Sequence, residues 1–245
     1  MGVRSFAVIC LTACAVDTAP VAPATPPPAA PTVAQMLERM AAAYAHATSY
    51  ADQGVAVDVY RAPQRDHSRR LTFTTAFVRP RSFRFEYRDN GDAARAYVIW
   101  SDGSRVRTKW FVDDNKVHDV RTFGLAIAAA TGVSSGTAYS VPSLLLPDLV
   151  RGRSVSTLNS AHVEGIEVVG GRKCYRVSGK ISEDSRTLWI DIETYMLRKI
   201  VDRRHIAPSG GDAFDVESTV TYTPVLNGPV SAAQLAEPVD GLPGN

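Results

Sequence analysis

The sequence predicts an α+β protein, mainly antiparallel β. It would be a curled, incomplete β-barrel covered by an N-terminal helix and an inserted helical pair. Three observations carry this. Apolar and polar residues alternate in short runs over most of residues 55–222, the period of half-buried strands. A helical repeat precedes them once, at 33–48. One Ala- and Leu-rich stretch, about 119–150, interrupts the alternation.

The elements follow in order. Thr32 and Gln35 have the spacing of a capping box, and Val33, Met36, Leu37, Met40 and Tyr44 share one helical face. Val55, Val57 and Val59 alternate with Ala56, Asp58 and Tyr60. Leu71, Phe73, Thr75 and Phe77 form a second run, and Phe83, Phe85 and Tyr87 a third, with Arg79-Pro80-Arg81 as the turn between them. Residues 97–100 and 106–112 read as a hairpin around Asp102-Gly103. In the interruption, FGLAIAAATGV suits a short helix, SSGTAYS a polar loop, and Pro142–Val150, with Leu144, Leu145 and Leu146, a second helix. Strands resume at 163–169, turn at Gly170-Gly171, and continue through 174–181, 188–192 and 197–201. In the last strand Phe214, Val216, Val220 and Tyr222 face one way and Asp215, Glu217, Thr219 and Thr221 the other.

Before this domain the chain reads as an address. Arg4 and a short apolar run lead to Leu11-Thr12-Ala13-Cys14, a spacing that resembles the bacterial lipobox. The resemblance implies cleavage before Cys14 and acylation of that residue, hence stable anchoring. Ala15 after the Cys implies the outer membrane by the same resemblance. Residues 15–31 are rich in Pro and Ala and prefer an extended tether. The expected organisation is a signal peptide at 1–13, a tether at 14–31 and a folded domain at 32–245. No apolar run is long enough to span a bilayer.

Composition narrows the function. Of 245 residues, 45% are hydrophobic and 21% charged, with a net charge of +2, too small a balance to argue for nucleic acid. Charge is uneven: 61–109 holds twelve Lys/Arg against five Asp/Glu, whereas 206–245 holds five acids and no Lys or Arg. The five His have no metal-ligand spacing, so neither metal nor cofactor is expected. Gly132-Val133-Ser134-Ser135-Gly136 fits the letters of a nucleophile elbow, but it follows an Ala-rich helix in a chain without βαβ alternation, and no catalytic residue is assigned. Cys174 reads as a small packed residue.

An amphipathic sheet must cover its apolar face. Phe73, Phe77, Phe83, Phe85, Tyr87, Trp110, Leu188, Ile190, Phe214 and Tyr222 are therefore expected to line an apolar concavity that holds acyl chains. Leu144, Leu145 and Leu146 would belong to its lid. The motifs resemble the LolA/LolB-like periplasmic lipoprotein-sorting superfamily. Arg79-Pro80, Phe83-Arg84 and Glu86-Tyr87 match its strand motif; Leu188-Trp189-Ile190-Asp191, Thr194 and Leu197-Arg198-Lys199-Ile200 match a later segment. The resemblance implies a half-barrel with helices across its opening and a non-enzymatic, monomeric envelope protein that binds lipid or lipoprotein acyl chains. The alternative is a regulatory or scaffold module, like the superfamily's anti-sigma regulators, that binds another envelope protein. It would use the basic sheet face of Arg79, Arg81, Arg84, Arg88, Arg105, Arg107 and Lys109. The 119–150 insertion aligns with neither LolA nor LolB.

Overall fold

The computed structural model describes residues 1–2, 30–63, 65–152 and 154–241. The segment expected to be a signal peptide, from residue 3 onward, Cys14 and the expected tether through residue 29 lie outside the described residues.

Helix α1 (Val33–Ala45) opens with the expected box: the Gln35 N–H donates to Thr32 Oγ1, and the Thr32 N–H to Gln35 Oε1. Met36, Met40 and Tyr44 form its buried stripe. Six strands follow as a meander: β1 (Ser49–Arg61), β2 (His67–Val78), β3 (Ser82–Asp89), β4 (Ala96–Ser101), β5 (Val106–Trp110) and β6 (Val117–Asp119). After helices α2 (Phe123–Thr131) and α3 (Thr137–Leu145) comes a second meander: β7 (Asn159–Val169), β8 (Arg172–Ile181), β9 (Asp184–Asp191), β10 (Leu197–Ile206) and β11 (Phe214–Tyr222). β11 pairs with β1, so the two meanders form one antiparallel sheet in the order β6-β5-β4-β3-β2-β1-β11-β10-β9-β8-β7. A short β12 (Val225–Leu226) also pairs with β1, making twelve strands. β6 and β7 do not meet, so the sheet is open.

That topology sets the task of the insertion. It must carry the chain from the β6 edge to the β7 edge. It does so across the inner face: α2 packs on β4 and β5, α3 on α2 and α1, and α1 on β7. Inward side chains of both meanders and all three helices form one apolar cluster.

The first half of the polar SSGTAYS stretch is the expected loop, but α3 begins at Thr137, earlier than expected. Gly136 turns the chain at φ +77°. The buried hydroxyls then bond back to the backbone: Thr137 Oγ1 to the Ser134 carbonyl (2.7 Å), Ser140 Oγ to Gly136 (3.1 Å) and Ser143 Oγ to Ser140 (2.8 Å). A segment that looks like loop by composition is thereby buried as helix, with its polar groups satisfied locally.

Arg79, at the end of β2, fastens two helices. Its Nε donates to the Ala47 carbonyl (2.8 Å), and its Nη2 to Ala45 (2.7 Å) and Leu145 (3.4 Å). The last carbonyls of a helix lack intrahelical partners and carry its negative dipole end, so one cation stabilises both α1 and α3. Arg79→Ala is expected to cost about 1–2 kcal/mol. Urea titration should show a lower midpoint, and dye binding to exposed apolar surface should rise before the sheet unfolds. An unchanged midpoint would show the helices to be held by packing alone.

Candidate functional site

The residues expected to line a concavity instead fill it. Phe77, Phe83, Phe85, Leu188 and Ile190 are 0% exposed, and Phe73, Tyr87 and Tyr222 no more than 5%. Leu144, Leu145 and Leu146 are buried in the same cluster. Phe73 packs edge-on to Tyr222 (5.5 Å), and Phe83 edge-on to Phe123 of α2 (4.9 Å). Trp110 is half-buried at the margin, against Tyr97. Phe214 lies outside the cluster, half-buried near Tyr60. The aromatic floor and the helical layer are thus in contact, and a charge at Phe85 would be a folding defect.

Period two on β1 hid a feature. Its inward residues are not the valines but Tyr50, Asp52, Ala56 and Asp58. Asp52 is 5% exposed and receives the Tyr50 hydroxyl at Oδ2 (2.7 Å), while its Oδ1 has no hydrogen-bond partner. Burial pushes its carboxyl up to about 6, against the lowering effect of Tyr50 and Thr75. Burial also raises the phenols of Tyr44, Tyr50 and Tyr222 around it. Asp58 is 4% exposed; Oδ2 accepts from Ser135 Oγ in the α2–α3 turn (2.5 Å), and Oδ1 is unpartnered.

Two recesses follow α3. One, about 580 Å³, lies between α1 and α3, closed below by the segment after α3. Ala41, Ala42 and Ala45 supply one wall, and Tyr139, Leu144 and Val150 the other; Glu38 and Arg151 are its charged residues. Alanines on this face of α1 keep the seam open. The other, about 290 Å³ and polar, lies where the α2–α3 turn meets β9, β10 and β11.

The basic outer face is already engaged. The acidic C-terminal segment lies over it: Arg107 pairs with Glu237 (2.5 Å), Arg84 Nε donates to the Ala236 carbonyl (3.1 Å), and Lys109 donates to the Gly241 carbonyl. Trp100 Nε1 donates to the Leu235 carbonyl (2.8 Å), and Asp240 accepts from the Val117 N–H (2.8 Å). Arg88 pairs with Glu86, and Arg105 with Asp102 and Glu237. Arg79 turns to the helices, and Arg81 stays exposed. The uneven charge of the sequence is largely spent within the chain, which corrects its reading as a free docking face.

The remaining candidates are structural. Ser134 is fully buried; its Oγ accepts from the Ala138 N–H in the first turn of α3 (3.1 Å). Cys174 packs with Trp189 and Val201 on the outer face, and burial pushes its thiol up to about 11. Asp191 is 1% exposed and ties the β9–β10 turn: Oδ1 accepts from Glu193 and Thr194 N–H, and Oδ2 from Arg172 and Arg198. These partners hold its carboxyl well below the usual range despite burial, which accounts for the Trp-Ile-Asp-x-x-Thr pattern. Among the described residues, no three His, Cys, Asp or Glu side chains converge as metal ligands.

Two predictions follow from these contacts. The folded state holds the Asp52 proton up to about pH 6, the unfolded chain only to about 4. The stability this contributes is present below about pH 4 and lost as pH rises through 6. Urea titrations should therefore show wild type losing about 2–3 kcal/mol relative to Asp52→Asn between pH 4 and 7; a constant difference would refute the buried carboxyl. Glu237→Lys should release the C-terminal segment, so amine-reactive labelling of Lys109, followed by mass spectrometry, is expected to accelerate several-fold. Unchanged labelling would mean the segment is held without its charges.

No family model and no curated protein matches the sequence. Among solved structures the fold is similar to LprF from Mycobacterium bovis (14% identity, 84% of this chain and 96% of that chain, TM-score 0.45). It is similar to the MucA/MucB complex of Pseudomonas aeruginosa (11% identity, 84% of this chain and 60% of that chain, TM-score 0.43). A LolA superfamily protein, NE2245 from Nitrosomonas europaea, is also among the structures similar to this one (11% identity, 85% and 99% covered, TM-score 0.30).

Proposed function

We propose that the chain is a non-enzymatic cell-envelope protein, anchored by lipidated Cys14, that binds the acyl chain of a lipid or lipoprotein. The observation that carries this is the seam between α1 and α3. It is apolar, of the volume of a small-molecule site, and directly above the aromatic core. Leu144 belongs to both seam and core, so a chain entering the seam displaces α3 outward and meets Phe83, Phe85 and the other core aromatics. The helical layer is then a cover, closed in the unliganded state. The alternative, partner capture on the basic face, requires the C-terminal segment to leave first.

The test is native mass spectrometry of the chain carrying Cys14→Ala, made in the periplasm and purified without detergent. Co-purifying lipid or acylated peptide is expected. Ala42→Trp, which fills the seam, should reduce the bound fraction at least about fivefold while leaving the fold intact. A ligand-free mass for both proteins, with no lipid taken up from vesicles, would overturn the proposal.

A further inference from the structure

One row of side chains crosses four strands on the inner face, under the α2–α3 turn. Asp58 of β1 is the register partner of Ser218 on β11, Ser218 of Asp202 on β10, and Asp202 of Arg186 on β9. Arg186 and Asp202 neutralise each other in a bidentate pair, both contacts 2.6 Å. Arg204, two residues beyond Asp202 on the same face, does not share that arrangement. It lines the 290 Å³ recess, its Nη2 donates to the Ser218 hydroxyl (3.4 Å), and among the described residues it forms no salt bridge. Ser135, which lines the recess, donates its hydroxyl to Asp58, and Asp58 is nine-tenths buried behind it with its other oxygen unpartnered. Asp184 adds a second carboxyl to the wall.

A simple anion is opposed here by Asp58 and Asp184, and a simple cation by Arg204. A ligand with both charges satisfies the set. We propose that this recess binds a zwitterionic headgroup carrying a phosphate and a primary ammonium. The phosphate would meet Arg204 and the Ser218 hydroxyl. The ammonium would donate to the Asp58 carboxylate, whose unpartnered oxygen otherwise costs free energy for nothing. Both recesses border α3: Tyr139 and Leu144 of the helix line the apolar seam, and Gly136 at its N-terminus lines the polar one. One lipid molecule could then place its chain in the seam and its headgroup in the polar recess. The inference rests on the lipid-binding reading and adds to it a headgroup preference.

The test uses headgroups without acyl chains, so that the two readings fail separately. Calorimetric titration of the Cys14→Ala chain would compare glycerophosphoethanolamine with glycerophosphate, which lacks the ammonium, and glycerophosphocholine, whose nitrogen has no N–H. Inorganic phosphate and ethanolamine alone serve as single-charge probes. Glycerophosphoethanolamine is expected to bind at least about tenfold tighter than any of the others. Arg204→Ala should weaken every phosphate-bearing probe about tenfold. Asp58→Asn, which keeps an acceptor for Ser135, should abolish only the ethanolamine preference. Arg204 is exposed, so its variant decides the matter if Asp58→Asn does not fold. Equal binding of the three glycerophosphates, or a preference untouched by either variant, would overturn the site. Lipid co-purifying with no headgroup bound would overturn it as well and leave the acyl reading standing. Headgroup binding with no lipid taken up would do the reverse.

Discussion

The constraint behind this structure is an open sheet with an apolar inner face. β6 and β7 lie at opposite edges and do not pair, so the strands cannot enclose their own core. Something must cover the inner aromatics, and the same chain must also travel from one edge to the other. The α2–α3 insertion does both at once, with α1 completing the layer. Arg79 secures it by joining the ends of α1 and α3 to the β2 terminus, through backbone carbonyls that would otherwise lack partners.

The cover is not tuned for stability alone. An interior built only to be stable would place apolar residues at the inward positions of β1, yet Asp52 and Asp58 stand there, each with an unpartnered oxygen. Buried groups of this kind cost free energy. α3 buries Thr137, Ala138, Ser140 and Ser143 beside Val141, Leu144 and Leu145, and its hydroxyls are satisfied within the helix. A layer whose ties to the sheet include Arg79 and a Ser135–Asp58 hydrogen bond, with polar groups buried beneath it, separates from that sheet more readily than a wholly apolar interface. That is the property a cover over a binding site needs.

Much of this was legible in the sequence because it rests on periodicity. The α1 stripe, the capping box and strands such as 83–87 and 214–222 were readable, since their burial follows spacing alone. Three things were not. The inward side of β1 was hidden because valine and aspartate alternate there, and the rule that apolar residues turn inward fails when charged groups are buried. The start of α3 was hidden because serine and threonine that bond back to their own helix look like loop. The use of the basic face was hidden because Glu237, which pairs with Arg105 and Arg107, lies more than a hundred residues away. Of the aromatics expected to line a cavity, most lie together in the core while Phe214 stands outside it, and spacing does not tell a lined cavity from a filled one. The alanine wall of the seam was invisible for the same reason: Ala41, Ala42 and Ala45 matter through what they leave empty.

Native-state hydrogen exchange tests the central claim, that the helical layer is a cover with its own opening equilibrium. Amides of α2 and α3 should exchange through an opening several kcal/mol below global unfolding, while those of β1, β2 and β11 exchange only with the whole domain. If α3 and the central strands report one and the same free energy, the helices are part of an indivisible core, and the account of a cover over a binding site is wrong.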